Sequence, residues 1–223
     1  MSVDAQIAAT VAALRPGRPL VVVDVDEVVC QFIRPLSAFL ERSGYWLDSV
    51  SFGLTGNIRR AGTSLAVPKE AVEALIQAFF DAEIGRQPLV PGVADAFARL
   101  AGHADIVLLT NAPHRLRQER IDNLARQGIA VPLITNDGPK GPVLAALAGA
   151  AAAPAVFIDD SPRNLLSGAA GVPEAVLVHF VADPTFLALA PSVPGVALKT
   201  GDWGEVERFL MAVLGGTSIG SAE

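Results

Sequence analysis

LVVVDVDEVVC, residues 20–30, decides the fold. Its run from Leu20 to Val25 is too short and too uniformly apolar for anything but a central strand buried on both faces, the kind found in parallel sheets covered by helices. Yet the stretch holds three acids, Asp24, Asp26 and Glu27. Burying an ionised carboxylate is costly and neighbouring carboxylates repel, so other parts of the chain must bring positive charge to this point.

Outward from this strand the same grammar repeats. A helix is expected over Asp4–Leu14, ended by Pro16 and Gly17. Further on come helix Val93–Leu100, strand Asp105–Leu109, helix Leu116–Gln127, strand Pro132–Thr135, helix Pro142–Ala148 and strand Ala155–Ile158. Strands near Ala175–Phe180 and Val196–Lys199 and a helix over Asp202–Leu214 complete it. Residues 31–89 break the alternation. Two helices, Pro35–Ser43 and Pro68–Ala82, flank the irregular stretch YWLDSVSFGLTGNIRRAG. The expected fold is α/β: a doubly wound, Rossmann-like parallel sheet core with a small helical insert after the first strand. Residues 1–31 and 89–214 form the core, 32–88 the insert, and 215–223 a frayed tail.

The chain has 223 residues, of which 51% are hydrophobic and 18% charged, which suits one compact domain with an insertion. No internal repeat is visible. A net charge of -6 argues against broad binding to nucleic acid or anionic membranes. The best apolar run, Val143–Ile158, is short for a membrane span and is interrupted by Gly149 and Pro154. The N-terminus carries Asp4 and no basic segment, so a cytoplasmic location is expected. Cys30 is the only cysteine, which excludes an internal disulfide and a thiolate metal cage. The partner expected is a small molecule, met by a monomer or homodimer.

Parallel sheets bind ligands at the carboxyl ends of their strands, and here four segments at or near strand ends are polar: VVVDVDEVV, VLLTNAP, NDGPKGPVL and VFIDDSPRN. Each has an ordinary reading. Asp159 or Asp160 could cap a helix, Thr110 and Asn111 could open a turn, and Lys140 could be a solvated loop residue. If the four converge, Asp24, Asp26, Asp159 and Asp160 meet one lysine, and the excess negative charge calls for a divalent cation. Oxygen donors without clustered His or Cys make Mg²⁺ the natural choice. His103, His114 and His179 lie on different elements and none is assigned to metal; His114 is near the second segment.

In this order the four segments resemble the motifs of the haloacid dehalogenase-like hydrolase superfamily: Asp24-Val25-Asp26, Thr110 in LLTNAP, Lys140 in GPKGPVL and Asp159-Asp160 in FIDDSPRN. The resemblance spans residues 20 to about 180 and implies a Mg²⁺-dependent phosphohydrolase acting on a small phosphomonoester through an aspartyl-phosphate. It makes Asp24 the nucleophile and Asp26 the acid and base. Thr110 and the Asn111 amide become phosphoryl binders, and Lys140 the neutralising charge that also holds Asp24. Mg²⁺ would be held by Asp24, the Asp26 carbonyl and an acid of the last motif, with Asp160 favoured over Asp159. Asp26 argues against the dehalogenases proper, which lack this second acid. The insert matches the first type of cap of this superfamily, with Phe32, Arg34, Tyr45, Trp46, Phe52, Asn57, Arg59 and Arg60 as candidates for substrate contact. FIDDSPRN and LDSVSFGLTGN also resemble the 5'(3')-deoxyribonucleotidases, which implies nucleoside monophosphates as one substrate class beside phosphoglycolate and sugar phosphates. Phosphatases of this superfamily usually have Gly where Glu27 stands. Glu27 is therefore expected to point into the cleft or toward the cap, and it supports an alternative: a phosphate-binding or regulatory domain that kept the fold and lost turnover. A phospho-acceptor receiver domain is disfavoured by motif order and by the insert.

Overall fold

The computed structural model describes residues 1–215, so all but the first residue of the expected tail lies outside the described residues. Six strands, β1 (Leu20–Val23), β4 (Asp105–Thr110), β5 (Leu133–Thr135), β6 (Ala155–Asp159), β7 (Val176–Phe180) and β8 (Val196–Thr200), form one sheet in the order β5-β4-β1-β6-β7-β8. Every neighbouring pair is parallel. β1 is central, with Val23 in register with Leu108 on one side and Ile158 on the other.

Side chains of β1 alternate between two cores, as the period of two requires. Val21 and Val23 face the helices α4 (Val93–Leu100), α5 (Arg117–Arg126) and α9 (Trp203–Gly215) through Phe97, Leu100, Leu124, Val206 and Leu210. Leu20 and Val22 face α1 (Val3–Ala13), α6 (Gly141–Ala151) and α7 (Pro162–Gly171) through Ile7, Leu144, Leu147 and Leu165. Burial on both faces explains the unbroken valines; each buried side chain contributes on the order of 1.5–3 kcal/mol.

The segment between β1 and α4 is not purely helical, which corrects the sequence reading. Besides α2 (Ile33–Arg42) and α3 (Lys69–Glu83) it contains an antiparallel ribbon, β2 (Tyr45–Leu47) with β3 (Ile58–Arg60), in which Trp46 opposes Arg59. Its core of Leu36, Leu40, Ile58, Val72, Phe79 and Phe80 is largely its own. A second correction concerns the short helix α8 (Pro184–Leu189), which was not anticipated; the Asp183 carboxylate caps it by accepting from the Thr185 and Phe186 amides.

β1 ends at Val23 rather than at Val25. Beyond it the chain folds into a tight turn in which the Val28, Val29 and Cys30 amides all donate to the Val25 carbonyl. Trp203 clamps the turn from α9, its indole N–H donating to the Val28 carbonyl at 2.9 Å. Asp24 and Asp26 therefore stand at the mouth of the sheet instead of in the middle of a strand.

Candidate active site

Asp24 follows β1 directly and its amide still bonds the Ile158 carbonyl of β6 at 2.9 Å. Asp159, the last residue of β6, is thereby held beside it. Lys140 reaches both carboxylates from the start of α6: Nζ donates to Asp24 Oδ1 and, at 2.7 Å, to Asp159 Oδ2. All three side chains are buried, Lys140 with 1% of its surface exposed. Lys140 can stand there because α6 packs closely on α7. A Cβ on Gly141 would lie 2.1 Å from the Ser167 carbonyl oxygen, so only glycine fits, and its amide donates to Ser167 Oγ.

The charges shape one another. Burial pushes the Asp24 carboxyl up to about 7 against the pull of Lys140, and the charges of Asp159 and Asp26 add to the rise. Burial works to lower the Lys140 ammonium, but Asp159 and Asp24 outweigh it and hold it above its ordinary value. Asp160 is partly open to the cleft yet deep enough that burial, followed by the charges of Asp24 and Asp159, pushes it well above the carboxylate range.

Of the four acids read from the sequence, two spend their carboxylates on protein partners. Asp159 accepts from Lys140, the Ser161 amide (2.9 Å) and Asn164 Nδ2 (3.0 Å). Asp26 accepts from Arg120 Nη2 (2.6 Å) and Gln87 Nε2 (3.3 Å) on Oδ1 and from Thr110 Oγ1 (3.3 Å) on Oδ2. Asp24 and Asp160 line one cavity of ≈ 240 Å³ together with Asp26, Thr110, Asn111, Lys140, Asn164 and, from the insert, Phe32 and Phe80. Among the described residues no three His, Cys, Asp or Glu side chains converge as a metal cage. The set that fits a cation is smaller: two carboxylates raised by burial and mutual repulsion, with hard oxygen donors only. A hard divalent cation such as Mg²⁺ relieves that condition, and the cavity leaves room for its waters.

Asn111 turns its side chain outward, Nδ2 donating to the Gly138 carbonyl and Oδ1 accepting from Asn136. The Thr110 hydroxyl also accepts from the Ala112 amide at 3.0 Å, which bends the chain back at the end of β4.

Glu27 does not point into the cleft. It occupies the left-handed region, φ 69°, the conformation that a glycine would take without strain. Its buried carboxylate is directed toward the insert. Oε2 accepts from the Phe32 and Ile33 amides at the start of α2, and Oε1 from the Asp183 amide at 2.5 Å. Burial pushes Glu27 up to about 7, and these three amides pull against it. Glu27 thus ties the first connection into the insert to the chain beyond β7.

Two further residues escaped the sequence reading. Arg120 of α5 has no exposed surface and pairs with Asp26 and with Gln87 Oε1 at 2.7 Å. Its position beside Asn123, Leu124 and Gln127 on one helical face was the available signal. His179 donates from Nε2 to the Asp160 carbonyl at 2.9 Å and fixes the backbone of that acid; burial lowers its pKa. His114 bonds Thr135 and Asp137 and does not line the cavity. Among the insert candidates, Phe32 lines the cavity and packs on Phe79 and Phe80, while Phe52 packs on His179 and Phe186. Asn57 is consumed by the Ser51 and Gly53 carbonyls, and Arg59 by Asp48 and the Ser64 carbonyl.

No protein-family model matches the sequence, and no curated protein matches it. Solved structures do. A conserved haloacid dehalogenase-like protein of unknown function from Agrobacterium tumefaciens is 16% identical, with a TM-score of 0.61 over 88% of this chain and 99% of its own. A HAD family hydrolase from Deinococcus radiodurans, with bound phosphate and sodium, is 16% identical, with a TM-score of 0.60 over 90% and 98%. A candidate β-phosphoglucomutase from Thermotoga maritima is 18% identical, with a TM-score of 0.55 over 88% and 100%. The chain therefore has the haloacid dehalogenase-like fold, as its motifs led us to expect. No helix among the described residues is long and apolar enough to cross a membrane.

Proposed function

We propose that this protein is a Mg²⁺-dependent phosphohydrolase that cleaves a small phosphomonoester through an aspartyl-phosphate on Asp24. The observation that carries this reading is the buried Lys140 shared by Asp24 and Asp159 at the floor of a cavity that Asp160 and Thr110 also line. Lys140 engages Asp24 Oδ1, and no protein donor engages Oδ2 among the described residues. Oδ2 is the oxygen available to attack phosphorus in line, forming the Asp24–phosphorus bond as the ester oxygen departs.

Thr110 Oγ and the Asn111 amide bind the phosphoryl oxygens, while Lys140 balances their charge and favours the ionised form of Asp24 against burial. Asp26 gives its proton to the departing oxygen and then takes one from the water that hydrolyses the intermediate. To do so it must exchange its bonds to Arg120 and Gln87 for one to substrate. Asp24, the Asp26 carbonyl and Asp160 would hold Mg²⁺, which when bound supplies positive charge to the transferring group.

A second reading keeps the fold without turnover, and Arg120 favours it: a guanidinium bonded to Asp26 holds that acid away from chemistry. Glu27 no longer supports it, because its carboxylate is bonded to the Phe32, Ile33 and Asp183 amides. Phosphate release from a panel of phosphosugars, nucleoside monophosphates and phospho-acids, with and without Mg²⁺, separates the two. Release that is lost in Asp24→Asn supports hydrolysis; binding without release supports the alternative.

A further inference from the structure

We infer that the catalytic cavity continues into an apolar subsite that takes a ring-sized hydrophobic group on the substrate's leaving alcohol, an inference that rests on the phosphomonoester reading above. A second cavity of ≈ 160 Å³ is walled by Phe32, Ile33, Phe52, Leu54, Val181 and Phe186. Phe32 and Asp160 line both this cavity and the catalytic one, so the two adjoin at the cation-holding acid. An apolar cavity of about 150 Å³ is the size that holds a benzene ring.

The walls are built. Phe52 stands edge-on to His179, with centroids 6.1 Å apart, and leans on Phe186 at 6.2 Å. The loop that presents it is pinned by buried Asn57, whose Nδ2 donates to the Ser51 and Gly53 carbonyls at 2.7 and 2.9 Å. Phe32 is fixed in turn by Phe79 and Phe80, at 5.2 and 5.9 Å.

Polar residues are the minority in the walls: Glu27, Asp160 and Ser161, against six apolar side chains. No lysine or arginine borders the subsite among the described residues. Arg59 is spent on Asp48, and Arg34 lines a separate cavity behind Glu27. The Glu27 carboxylate borders the subsite but is committed to three amides. Sugar hydroxyls laid against the six apolar walls would find few partners, whereas a ring exchanges water for aromatic contact.

Calorimetry on the full chain with Mg²⁺ would compare benzylphosphonate with methylphosphonate, which share a phosphoryl head and cannot be hydrolysed. Benzylphosphonate should bind roughly tenfold or more tightly, and Phe52→Ala or Leu54→Ala should erase most of that ratio. Equal affinities, or a ratio unmoved in both variants, would overturn the subsite. Turnover separates this inference from the phosphatase reading, since benzyl phosphate and glycerol phosphate both release a primary alcohol. A kcat/KM roughly tenfold higher for benzyl phosphate supports both proposals. Preference for glycerol phosphate overturns the subsite and leaves the phosphatase standing. No release from either ester, with benzylphosphonate still preferred in binding, overturns the phosphatase and leaves the subsite.

Discussion

Arg120 Nη2 lies 2.6 Å from Asp26 Oδ1, at the end of a guanidinium with no exposed surface. The same nitrogen bonds Gln87 Oε1, and Gln87 Nε2 donates to Asp26 and to the Gln31 carbonyl. Gln31 and Gln87 lie on the two connections into the insert, so the proposed acid and base is bonded to one of them. One hydrogen-bonded network thus joins Asp26 to both connections into the insert.

Arg120→Met should cost stability, because it removes one partner of a buried pair, a loss of about 3–5 kcal/mol. Its catalytic signature should be selective. Because Asp26 must leave Arg120 to act, alkyl phosphates, which need a proton on the departing oxygen, should gain rate relative to p-nitrophenyl phosphate, which does not. Urea unfolding and the ratio of the two kcat values check this; equal slowing of both esters would show that Arg120 acts only on the fold.

Lys140→Met leaves Asp24 and Asp159 side by side without their cation. Stability should fall by about 3–5 kcal/mol near neutral pH, and part of the loss should return toward pH 5 as Asp24, already pushed up to about 7, takes a proton. Urea midpoints at the two pH values test it; an identical loss at both would mean that packing rather than charge was removed.

Glu27→Gln keeps the size of the side chain but turns an amide NH₂ toward backbone N–H donors that now meet a carboxylate. The expected loss is about 1–3 kcal/mol. Glu27→Gly relieves the positive φ but gives up all three hydrogen bonds, so it should also be less stable than the parent. Thermal melts of both variants decide; a glycine variant as stable as the parent would mean that the three amides contribute nothing.

Stability should also depend on pH and Mg²⁺ together. Asp24 and Glu27 are each pushed up to about 7 in the folded chain, above their ordinary values. The folded state then holds more protons than the unfolded one between about pH 4 and 7, so their contribution is present at low pH and lost as pH rises. Mg²⁺ binds ionised carboxylates and offsets the Asp24 share of that loss. The rise in Tm on adding Mg²⁺ should be larger near pH 8 than near pH 5; a shift independent of pH would argue against a site on Asp24 and Asp160.

The sheet and the cavity floor were legible because buried strands write themselves as unbroken apolar runs and their ends as abrupt polar residues. Asp24, Thr110, Lys140 and Asp159 each follow or close such a run, or open the next helix. The ribbon Tyr45–Leu47 with Ile58–Arg60 was not legible, since three-residue strands with half-exposed side chains carry no period. Arg120 is one charge among many in RQERIDNLAR, and nothing in that run of charges marks it, because burial of a charged side chain is decided by the partner across the core. Glu27 looked like a defect of the motif until its φ and its three amide partners placed it between the start of the insert and the chain beyond β7.

The most direct test of the mechanism is to trap the intermediate. The full chain would be mixed with Mg²⁺ and a phosphoester that it hydrolyses, quenched with borohydride, digested and sequenced by mass spectrometry. Reduction of an acyl phosphate leaves homoserine in place of the aspartate. Homoserine at position 24, dependent on both ester and Mg²⁺, is the expected result. Phosphate release with no homoserine at position 24, or with homoserine at Asp26 or Asp160 instead, would contradict a nucleophilic Asp24.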